Sequence, residues 1–432
     1  MAREARSNDT DVFFCAGPRT PFAKIDGPLA HLDAVGVSVP VVREAGAKLK
    51  PGAVPDCVVW GAVVPSLSVI HIAREVWLDA GLEPHVPALT VIQQCATSLA
   101  AATHAAAQMK AGRIDLALCG GSEAMSQTQV GLTRGMSQAI RRLAQAKGAG
   151  AALKALGKVR PRDLKLRAPS VRERTSGLTM GDHAEITAKE WGLDRESQDR
   201  FALASHQNAV AAWERGFFDD LVIGSDAFPG FRRDNIPRTD TSPAKLAKLP
   251  PVFDRKSGRG MLTAGNSSPL TDGAAACWVA TERGLERFAA PPYRARLLDW
   301  EVTSVDIERD GLLMAPTLAV PRLLARNGLS YGDIGLWEIH EAFAAQVLCT
   351  IAALNSGKWL SERAGVDVDL GEVPEERINP NGGSVALGHP FGATGARIVS
   401  QTVKALQARG GSALISICAA GGLGHVALLE AV

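Results

Sequence analysis

One arrangement of residues occurs twice in this chain and constrains its fold more than any other feature of the sequence. In each copy a β-branched strand leads into a sharp polar turn, a helix of small residues, a turn bounded by glycine, and a strand that ends in Cys and a Gly-Gly pair. The first copy runs from PALTVIQQ through Cys95 to Gly121, and the second from INPNGGSVALG to Gly422. The repetition predicts an internal duplication, and the alternation of strands and helices predicts mixed or parallel sheets covered by helices.

The stretch between the two copies has a different character. Residues from about 125 to 255 lose the strand rhythm and are polar, helical and loop-rich, which predicts an insertion. We therefore expect an α/β protein with a first half at 8–124 and 256–288, an inserted loop domain at 125–255, and a second half at 289–432. A chain of 432 residues, 46% of them hydrophobic, is long enough for two or three cores.

Charge is nearly balanced over the chain but not along it. The net charge of +2 cannot supply the broad positive field of a dedicated nucleic-acid binder, which argues against nucleic acid as a main partner. Residues 134–174, however, hold twelve Lys and Arg against only Asp163 and Glu173. This basic segment fits an acidic or phosphate-bearing partner, a membrane surface or a solvated face, and its charge alone leaves all three open.

Cysteine usage and hydropathy predict a location in the cell. No run of 18 apolar residues occurs, and the start MAREARSNDT is polar, so we expect neither a spanning helix nor a secretory or transit peptide. Seven cysteines without a CxxC pair fit a reducing compartment, with free thiols and no zinc site. The histidines likewise show no metal-ligand spacing, so no metal is expected. The prediction is a cytoplasmic protein, with peripheral membrane contact through 134–174 as an open alternative.

Cys95 is the first candidate for chemistry. It lies where a β-branched strand turns into a helix of Ala, Leu and Thr, so its sulfur is expected near unpaired N–H groups of the helix N-terminus. A helix terminus is worth about 0.3–2 kcal/mol, which lowers the pKa of a thiol too little to ionise it fully at neutral pH. A nucleophilic Cys95 therefore needs a partner base, and the alternative is a buried small apolar residue.

His389 is the candidate for that base. It lies in a glycine-rich stretch, NGGSVALGHPFGATG, in which the backbone can approach a ligand closely. A neutral imidazole held there could take the proton of Cys95. Tight packing explains the glycines equally well, and no Gly-Lys-Ser/Thr follows, so the stretch is not a phosphate loop.

Two further residues lie at strand ends. Cys418 ends a strand just before Ala-Ala-Gly-Gly, and such a sheet edge is where α/β proteins bind ligands. His340 ends the strand GLWEIH before the helix EAFAAQVLCTIAAL, where it could hold a water or polarise a carbonyl. Each also has a structural reading, as a packed thiol and as a hydrogen-bonded core histidine.

Five motifs together resemble the thiolase family, in family order and over roughly residues 10–432. They are QQCATS, AGNSSPLTDGAAA, HEAFAAQ, NGGSVALGHPFGATGAR and CAAGG. The resemblance implies an acyltransferase with a five-layered αβαβα fold of two similar halves and an inserted loop domain. It also implies at least a homodimer, CoA as a substrate, and no permanently bound cofactor.

The resemblance assigns roles position by position. Cys95 resembles the nucleophile that takes the acyl group, His389 the base, and Cys418 the thiol that exchanges a proton with CoA or the acetyl-CoA carbanion. His340 stands where most thiolases have Asn, at a position that helps to organise an oxyanion-hole water. Backbone N–H groups of Cys95 and Ala420 would form the other oxyanion hole, although the family's usual Cys-x-Gly here reads Cys-Ala-Ala.

Two weaker assignments concern CoA. Ser268 matches a serine that contacts pantetheine, and Met180 matches a loop-domain residue that lines the substrate pocket.

Finer features resemble one branch of the family, the β-subunits of trifunctional complexes of fatty-acid oxidation. These features are HEAF combined with CAAGG, the basic segment, and GLTMGDHAE. The resemblance implies CoA-dependent cleavage of medium or long 3-ketoacyl-CoA through a Cys95 thioester, with a hydratase-dehydrogenase α-subunit as a candidate partner. Two alternatives stay open: an acetoacetyl-CoA-forming acetyl-CoA acetyltransferase and a non-catalytic lipid-binding or scaffold relative.

Overall fold

The fold is that of a computed structural model, which describes residues 10–432. The predicted start of the first half at residue 8 and most of the polar MAREARSNDT stretch lie outside the described residues. The strands are β1 Phe13–Arg19, β2 Ala23–Lys24, β3 Cys57–Ala62, β4 Ala88–Thr90, β5 Leu116–Glu123, β6 Gly131–Leu132, β7 Leu166–Arg167, β8 Thr271–Ala280, β9 Arg294–Ser304, β10 Leu336–Ile339, β11 Ser412–Ala419 and β12 Leu423–Ala431.

Helices alternate with these strands. The α-helices are α1 Ala34–Gly46, α2 Ile72–Asp79, α3 Thr97–Lys110, α4 Arg134–Ala144, α5 Ala149–Leu156, α6 Met180–Glu190, α7 Arg195–Glu214, α8 Pro243–Ala247, α9 Glu282–Leu285, α10 Ile307–Asp310, α11 Pro316–Arg326, α12 Ala344–Leu354, α13 Gly357–Trp359, α14 Ser384–Leu387 and α15 Thr394–Arg409. Short 3₁₀ turns cover Gln94–Ala96, Met125–Gln127, Pro161–Leu164, Tyr331–Asp333 and Glu375–Arg377, and a π-turn covers Leu360–Ala364.

The sheet repeats one strand order, which confirms the predicted duplication. In the first half the order is β1-β8-β5-β3, and in the second it is β9-β12-β11-β10. The strand senses repeat as well: β5 is parallel to β3 and antiparallel to β8, while β11 is parallel to β10 and antiparallel to β12. The two halves meet where β1 pairs antiparallel with β9, and β4 extends the outer edge of the first half. The predicted strand PALTVIQQ is shorter than expected, because only its first residues pair as β4.

Helices cover the sheets in layers. Helices α1 and α2 pack on the outer face of the first half, and α11 and α12 contribute to the apolar cluster on the outer face of the second. Between the two halves lie α3 and α15, which pack against each other and against both sets of strands in a shared core. The predicted five-layered αβαβα arrangement is therefore confirmed.

The two middle helices touch near their N-termini. The backbone N–H of Ala396 donates to Ser98 Oγ at 2.8 Å. A Cβ added to Gly395 would lie 2.5 Å from the backbone nitrogen of Leu99, so only glycine fits there. This seam matters for function because α3 follows Cys95 and α15 follows His389.

The stretch between β5 and β8 is helical and loop-rich, as predicted. The strands within it are the two-residue β6 and β7, which pair only with each other. Its helices α6 and α7 pack against α12 of the second half. No helix among the described residues is long and apolar enough to cross a bilayer. The exact boundaries of the inserted domain stay a prediction.

Candidate active site

Cys95 lies in a short turn just before α3. The residue before it, Gln94, has a φ of 49°, which is uncommon for a residue other than glycine and indicates local strain. Thr97 stabilises the turn: its hydroxyl donates to the Gln94 carbonyl at 2.7 Å and accepts from the Gln93 N–H at 2.9 Å. The turn therefore holds the Cys95 sulfur at the strand-to-helix junction that the sequence predicted.

The surroundings of Cys95 keep it protonated. Burial raises the pKa of its thiol to about 12, and the carboxyl of Glu123 adds to this rise. Backbone hydrogen bonds from Ala420 and from Cys95 itself act in the opposite direction but do not prevail. The modest lowering expected from a helix terminus is therefore outweighed by desolvation. A base close to the thiol is needed to generate the nucleophile.

His389 meets that need. It is 3% exposed, and its Nδ1 lies 2.6 Å from Thr394 Oγ1. The Thr394 hydroxyl donates its hydrogen to the Pro390 carbonyl at 3.0 Å, so Nδ1 must be the donor in the bond to Thr394. The other nitrogen, Nε2, then carries a lone pair, and it has no hydrogen-bond partner. Burial lowers the pKa of His389 to about 3, which keeps the imidazole neutral.

His340 lies beside His389, with ring centroids 4.2 Å apart. It is fully buried, its backbone N–H donates to the Ser416 carbonyl at 2.8 Å, and its Nδ1 contacts Ser384 Oγ at 3.0 Å. Its Nε2 is buried and has no partner. The Sγ of Cys95 and one nitrogen of each histidine lie within 4.8 Å of one another. Residues from three separate segments are thus brought together.

The Cys95 sulfur and one nitrogen each of His340 and His389 could also coordinate a metal ion, which the spacing of these residues in the sequence did not indicate. Cysteine and histidine are ligands that Zn²⁺ accepts. A catalytic base and a hydrogen-bond donor to a substrate each need an atom that has no partner within the protein. The two free imidazole nitrogens are therefore explained without a metal.

Cys418 and Ala420 approach from the end of β11. Cys418 is 1% exposed, and burial together with the nearby Cys95 raises the pKa of its thiol well above the usual value. The Ala420 N–H reaches the Cys95 sulfur. Among described residues other than glycine, positive φ occurs at Asp26, Gln94 and Asn379, so Ala420 needs no glycine conformation. The Cys-Ala-Ala variation therefore keeps its backbone donor without strain.

Ser268 and Met180 contact segments that carry residues of this centre. Ser268 donates from both its backbone N–H and its hydroxyl to the Ala342 carbonyl, at 3.1 and 2.9 Å. Met180 begins α6 and packs against the apolar cluster that contains Cys418 and Phe343. The structure places both residues near the centre, and their contact with a ligand stays a prediction.

Several supporting residues were not singled out from the sequence. Glu341 is buried and accepts hydrogen bonds from Ser205, Asn379 and the Val385 N–H, which fixes the HEAF and NGGS segments together. Glu123 accepts from the Val63, Val64 and Gly392 N–H groups, and burial raises its pKa to about 7. Glu341, Ser384, Thr394 and Arg397 all lie within the quoted motifs, but nothing in a motif says which partner each contacts.

Comparisons with known proteins identify relatives of this chain in one family. A family model for the thiolase N-terminal domain matches residues 12–283, and one for the thiolase C-terminal domain matches residues 292–431. Curated proteins named 3-ketoacyl-CoA thiolase from Yersinia pestis (strain Pestoides F) and Yersinia pseudotuberculosis (serotype O:3, strain YPIII) are each 39% identical over 420 residues, 96% of this chain and 95% of theirs.

Solved structures are similar over the whole chain. The acetyl-CoA acetyltransferase of Bacillus anthracis has a TM-score of 0.80 at 30% identity, covering 98% of this chain and 99% of its own. Human mitochondrial 3-ketoacyl-CoA thiolase in complex with CoA has a TM-score of 0.79 at 29% identity, covering 98% of both chains.

Proposed function

The chain belongs to the thiolase family of acyltransferases, and on that premise we propose that it is a 3-ketoacyl-CoA thiolase of fatty-acid β-oxidation. It uses CoA to cleave medium- or long-chain 3-ketoacyl-CoA into acetyl-CoA and a shortened acyl-CoA. One observation carries the proposal: the Cys95 sulfur accepts N–H groups of Cys95 and Ala420, and it lies within 4.8 Å of a nitrogen of each of two imidazoles whose Nε2 atoms have no partner. A nucleophile, an oxyanion hole and a base therefore meet at one atom.

The first half of the reaction forms an acyl-enzyme. The Cys95 thiol gives its proton to His389 Nε2 as the sulfur attacks the C3 carbonyl, and the Cys95 and Ala420 N–H groups hold the developing oxyanion. The C2–C3 bond then breaks, leaving the acyl group on Cys95 and the carbanion of acetyl-CoA. The carbanion takes the proton of Cys418, while His340 holds the thioester oxygen, directly or through a water.

The second half returns every group to its starting state. The incoming CoA thiol gives its proton to the Cys418 thiolate and attacks the acyl carbonyl on Cys95. The Cys95 sulfur leaves and recovers its proton from the His389 imidazolium, which releases the shortened acyl-CoA. Because a buried imidazolium is unfavourable beside Arg397, that proton returns readily.

CoA is a substrate in this scheme, and the chain needs no permanently bound cofactor. The thiolase structure solved with CoA supports this assignment. We assign Ser268 to the pantetheine arm and Met180 to the acyl pocket, because Ser268 contacts the Ala342 carbonyl and Met180 packs against the apolar cluster that contains Ala342 and Cys418.

An acetoacetyl-CoA-forming acetyl-CoA acetyltransferase is the second candidate, favoured by the similarity to the Bacillus anthracis structure. It uses the same groups in the opposite direction, and substrate length separates the two. A non-catalytic lipid-binding or scaffold role is disfavoured, because it needs no thiol, base and oxyanion donors at one point.

CoA-dependent loss of 3-ketoacyl-CoA absorbance, measured with C4 and C16 substrates, tests the proposal. We expect turnover of C16 that Cys95→Ala abolishes. Cys57→Ala is the matched control, since Cys57 is also a partly buried free thiol of the first half and lies outside the site. Turnover of C4 alone would support the acetyltransferase. Thiolysis that survives Cys95→Ala would overturn the mechanism.

We further propose that the chain forms a homodimer or higher oligomer, and that residues 134–174 contact a membrane surface or a hydratase-dehydrogenase α-subunit. In support, α4 and α5 combine basic side chains with exposed apolar ones, such as Leu153 at 76% exposure. Basic amphipathic helices bind anionic lipid surfaces.

Sedimentation with phosphatidylserine vesicles tests the membrane contact. We expect binding that falls with salt and is lost when Lys147, Lys154 and Lys158 become Gln. The control changes Lys245 and Lys248 to Gln, outside the basic segment. Equal binding by both variants would contradict the proposal.

A further inference from the structure

Ser384 and Arg397 form a chain of hydrogen bonds that ends at His340 Nδ1, and the reaction scheme gives neither of them a role toward His340. Arg397 Nη2 is 2.7 Å from Ser384 Oγ, which in turn is 3.0 Å from His340 Nδ1. We propose that Ser384, oriented by Arg397, fixes His340 in the tautomer with its proton on Nε2, so that the two active-site histidines present opposite hydrogen-bonding character. This inference rests on the proposed thiolysis and makes Ser384 and Arg397 positioning residues for it.

Arg397 determines the direction of its hydrogen bond with Ser384. A guanidinium has only donors, so in its bond with Arg397 the Ser384 oxygen must accept. Arg397 is 2% exposed, and burial lowers its pKa only to about 10, which leaves it charged at neutral pH. The buried carboxyl groups of Glu338 and Glu341 favour that charge. The Ser384 hydroxyl hydrogen is therefore directed away from Arg397.

The Ser384 hydroxyl hydrogen has one acceptor among the described contacts. Besides Arg397, the only group that bonds to Ser384 Oγ among residues 10–432 is His340 Nδ1. Ser384 and His340 are both fully buried, and a buried hydroxyl left without an acceptor would cost free energy. Ser384 thus donates to Nδ1, which must be the unprotonated nitrogen. The His340 proton is then on Nε2, which points away from Ser384 and has no partner in the protein.

The same reasoning gives His389 the reverse assignment. The Thr394 hydroxyl donates its hydrogen to the Pro390 carbonyl, so it can only accept from His389 Nδ1. His389 Nδ1 therefore carries the proton, and Nε2 is left as an acceptor. Two imidazoles 4.2 Å apart are thus fixed in opposite tautomers by hydroxyls behind them. His389 can take a proton from Cys95, while His340 can donate to the oxygen on which charge develops when acetyl-CoA leaves.

The two stages of the reaction depend differently on the base His389 and the donor His340. Cleavage of the C2–C3 bond needs the donor at His340, because it creates the enolate of acetyl-CoA. Exchange of labelled CoA into an acyl-CoA needs Cys95, His389, Cys418 and the backbone oxyanion hole, but not the donor at His340. A change in the His340 tautomer should therefore slow thiolysis and spare exchange.

Ser384→Asp and Ser384→Asn form a matched pair for this test. The two side chains are nearly the same size and differ in whether the terminal group can donate. An aspartate can only accept, so it takes hydrogens from Arg397 and from His340 Nδ1, which turns Nε2 into an acceptor. An asparagine can accept from Arg397 and donate to Nδ1, which preserves the native tautomer.

We expect the thiolysis kcat of Ser384→Asp to be at least 10-fold below that of Ser384→Asn, with CoA exchange equal in the two. Equal thiolysis in the two variants would overturn the inference. A parallel loss of exchange in the Asp variant would also overturn it, because added charge acting on Cys95 and His389 would then be the cause.

A double-mutant cycle covers the case in which neither variant folds. Ser384→Ala should lower the thiolysis kcat several-fold in the native chain and have no further effect in the His340→Asn background. Ser400→Ala is the matched control, because Ser400 is also a buried serine with two hydrogen bonds, to the Gly17 N–H and the Ala276 carbonyl. Additive effects of Ser384→Ala and His340→Asn would overturn the inference.

The tautomer can also be read without activity. In ¹⁵N spectra of imidazole-labelled protein we expect the His340 proton on Nε2 and the His389 proton on Nδ1, identified by loss of each signal in the matching variant. The same tautomer in both rings would overturn the inference whatever the enzyme's activity. Failure of wild-type thiolysis together with opposite tautomers would instead count against the proposed function.

Discussion

The two halves of the molecule share a strand order but contribute different chemistry to the centre. The segment before α3 brings the thiol of Cys95, while the equivalent segment before α15 brings the imidazole of His389. The ends of the equivalent strands β5 and β11 bring a buried carboxyl, Glu123, and a thiol, Cys418. Because α3 and α15 pack together in the middle layer, a repeated architecture delivers two unlike reactive groups to one point.

The two halves supply different reactive groups to the active site. The first half contributes the atom that is acylated, and the second contributes two histidines, a second thiol and the Ala420 N–H that surround it. On the proposed mechanism, neither half is competent alone. The following variants test this difference between the halves, beginning with the largest expected effect.

Removal of the base from the second half should cost the most. His389→Ala is expected to lower the kcat of thiolysis by about 10²- to 10⁴-fold, the usual range for general-base catalysis. The alkylation of Cys95 by iodoacetamide should slow as well, since the thiol has a pKa of about 12 and depends on that base. Cys418→Ala, also in the second half, should slow thiolysis without slowing alkylation. Unchanged alkylation in His389→Ala would contradict the pairing.

A larger side chain at the contact between the halves should destabilise the whole molecule. A Cβ added to Gly392 would lie 2.5 Å from the Ser122 carbonyl oxygen and 2.8 Å from that of Gly61, both in the first half. Gly392→Ala should therefore lower the free energy of unfolding by about 1–3 kcal/mol, as overpacking does. Gly150→Ala is the control, because nothing lies within 4 Å of its added Cβ. Urea unfolding measures both, and equal stability would rule out a tight seam.

A smaller effect is expected inside the second half, where Thr394 orients His389. Thr394→Val keeps the shape but removes the oxygen that accepts from Nδ1. A neutral hydrogen bond is worth about 0.5–1.5 kcal/mol, so we expect kcat to fall about 3- to 10-fold. Thr402→Val, in the same helix, removes a buried hydroxyl bonded only to the Ile398 carbonyl and should leave kcat unchanged. A similar loss in both variants would mean that α15 itself is damaged.

The last effect concerns the pH dependence of stability at another contact between the halves. His425 of β12 reaches Gln93 Oε1 at 2.7 Å and Thr103 Oγ1 at 3.2 Å, and burial lowers its pKa to about 3. The unfolded chain binds this proton near pH 6.5 and the folded chain does not, so stability falls as pH drops below that value. The slope from this group is at most about 1.4 kcal/mol per pH unit.

His425→Gln should remove that contribution. Urea unfolding of both proteins between pH 6.5 and pH 4 measures the difference in slope. Parallel pH profiles would show that His425 is not the group responsible.

The residues that sequence reasoning found are those whose chemistry is local. Cys95, His389, His340 and Cys418 each stand at a strand end or helix start, and such junctions can be recognised from a few neighbouring residues. The duplication was visible because it repeats a pattern of residue types. Ser384 and Arg397 were not singled out, because their importance comes from the contact each makes with a third residue.

The fold class, the two halves, the family and the identity of the reactive groups could be predicted from the sequence, because these depend on residue type and order. The folded structure was needed to show that Cys95 is a protonated thiol, that Ala420 serves without a glycine conformation, and that Nε2 of each active-site histidine has no partner. The physical reason is that pKa values and hydrogen-bond directions depend on burial and on partners far apart in the chain. Such partners become neighbours only when the two halves close on each other.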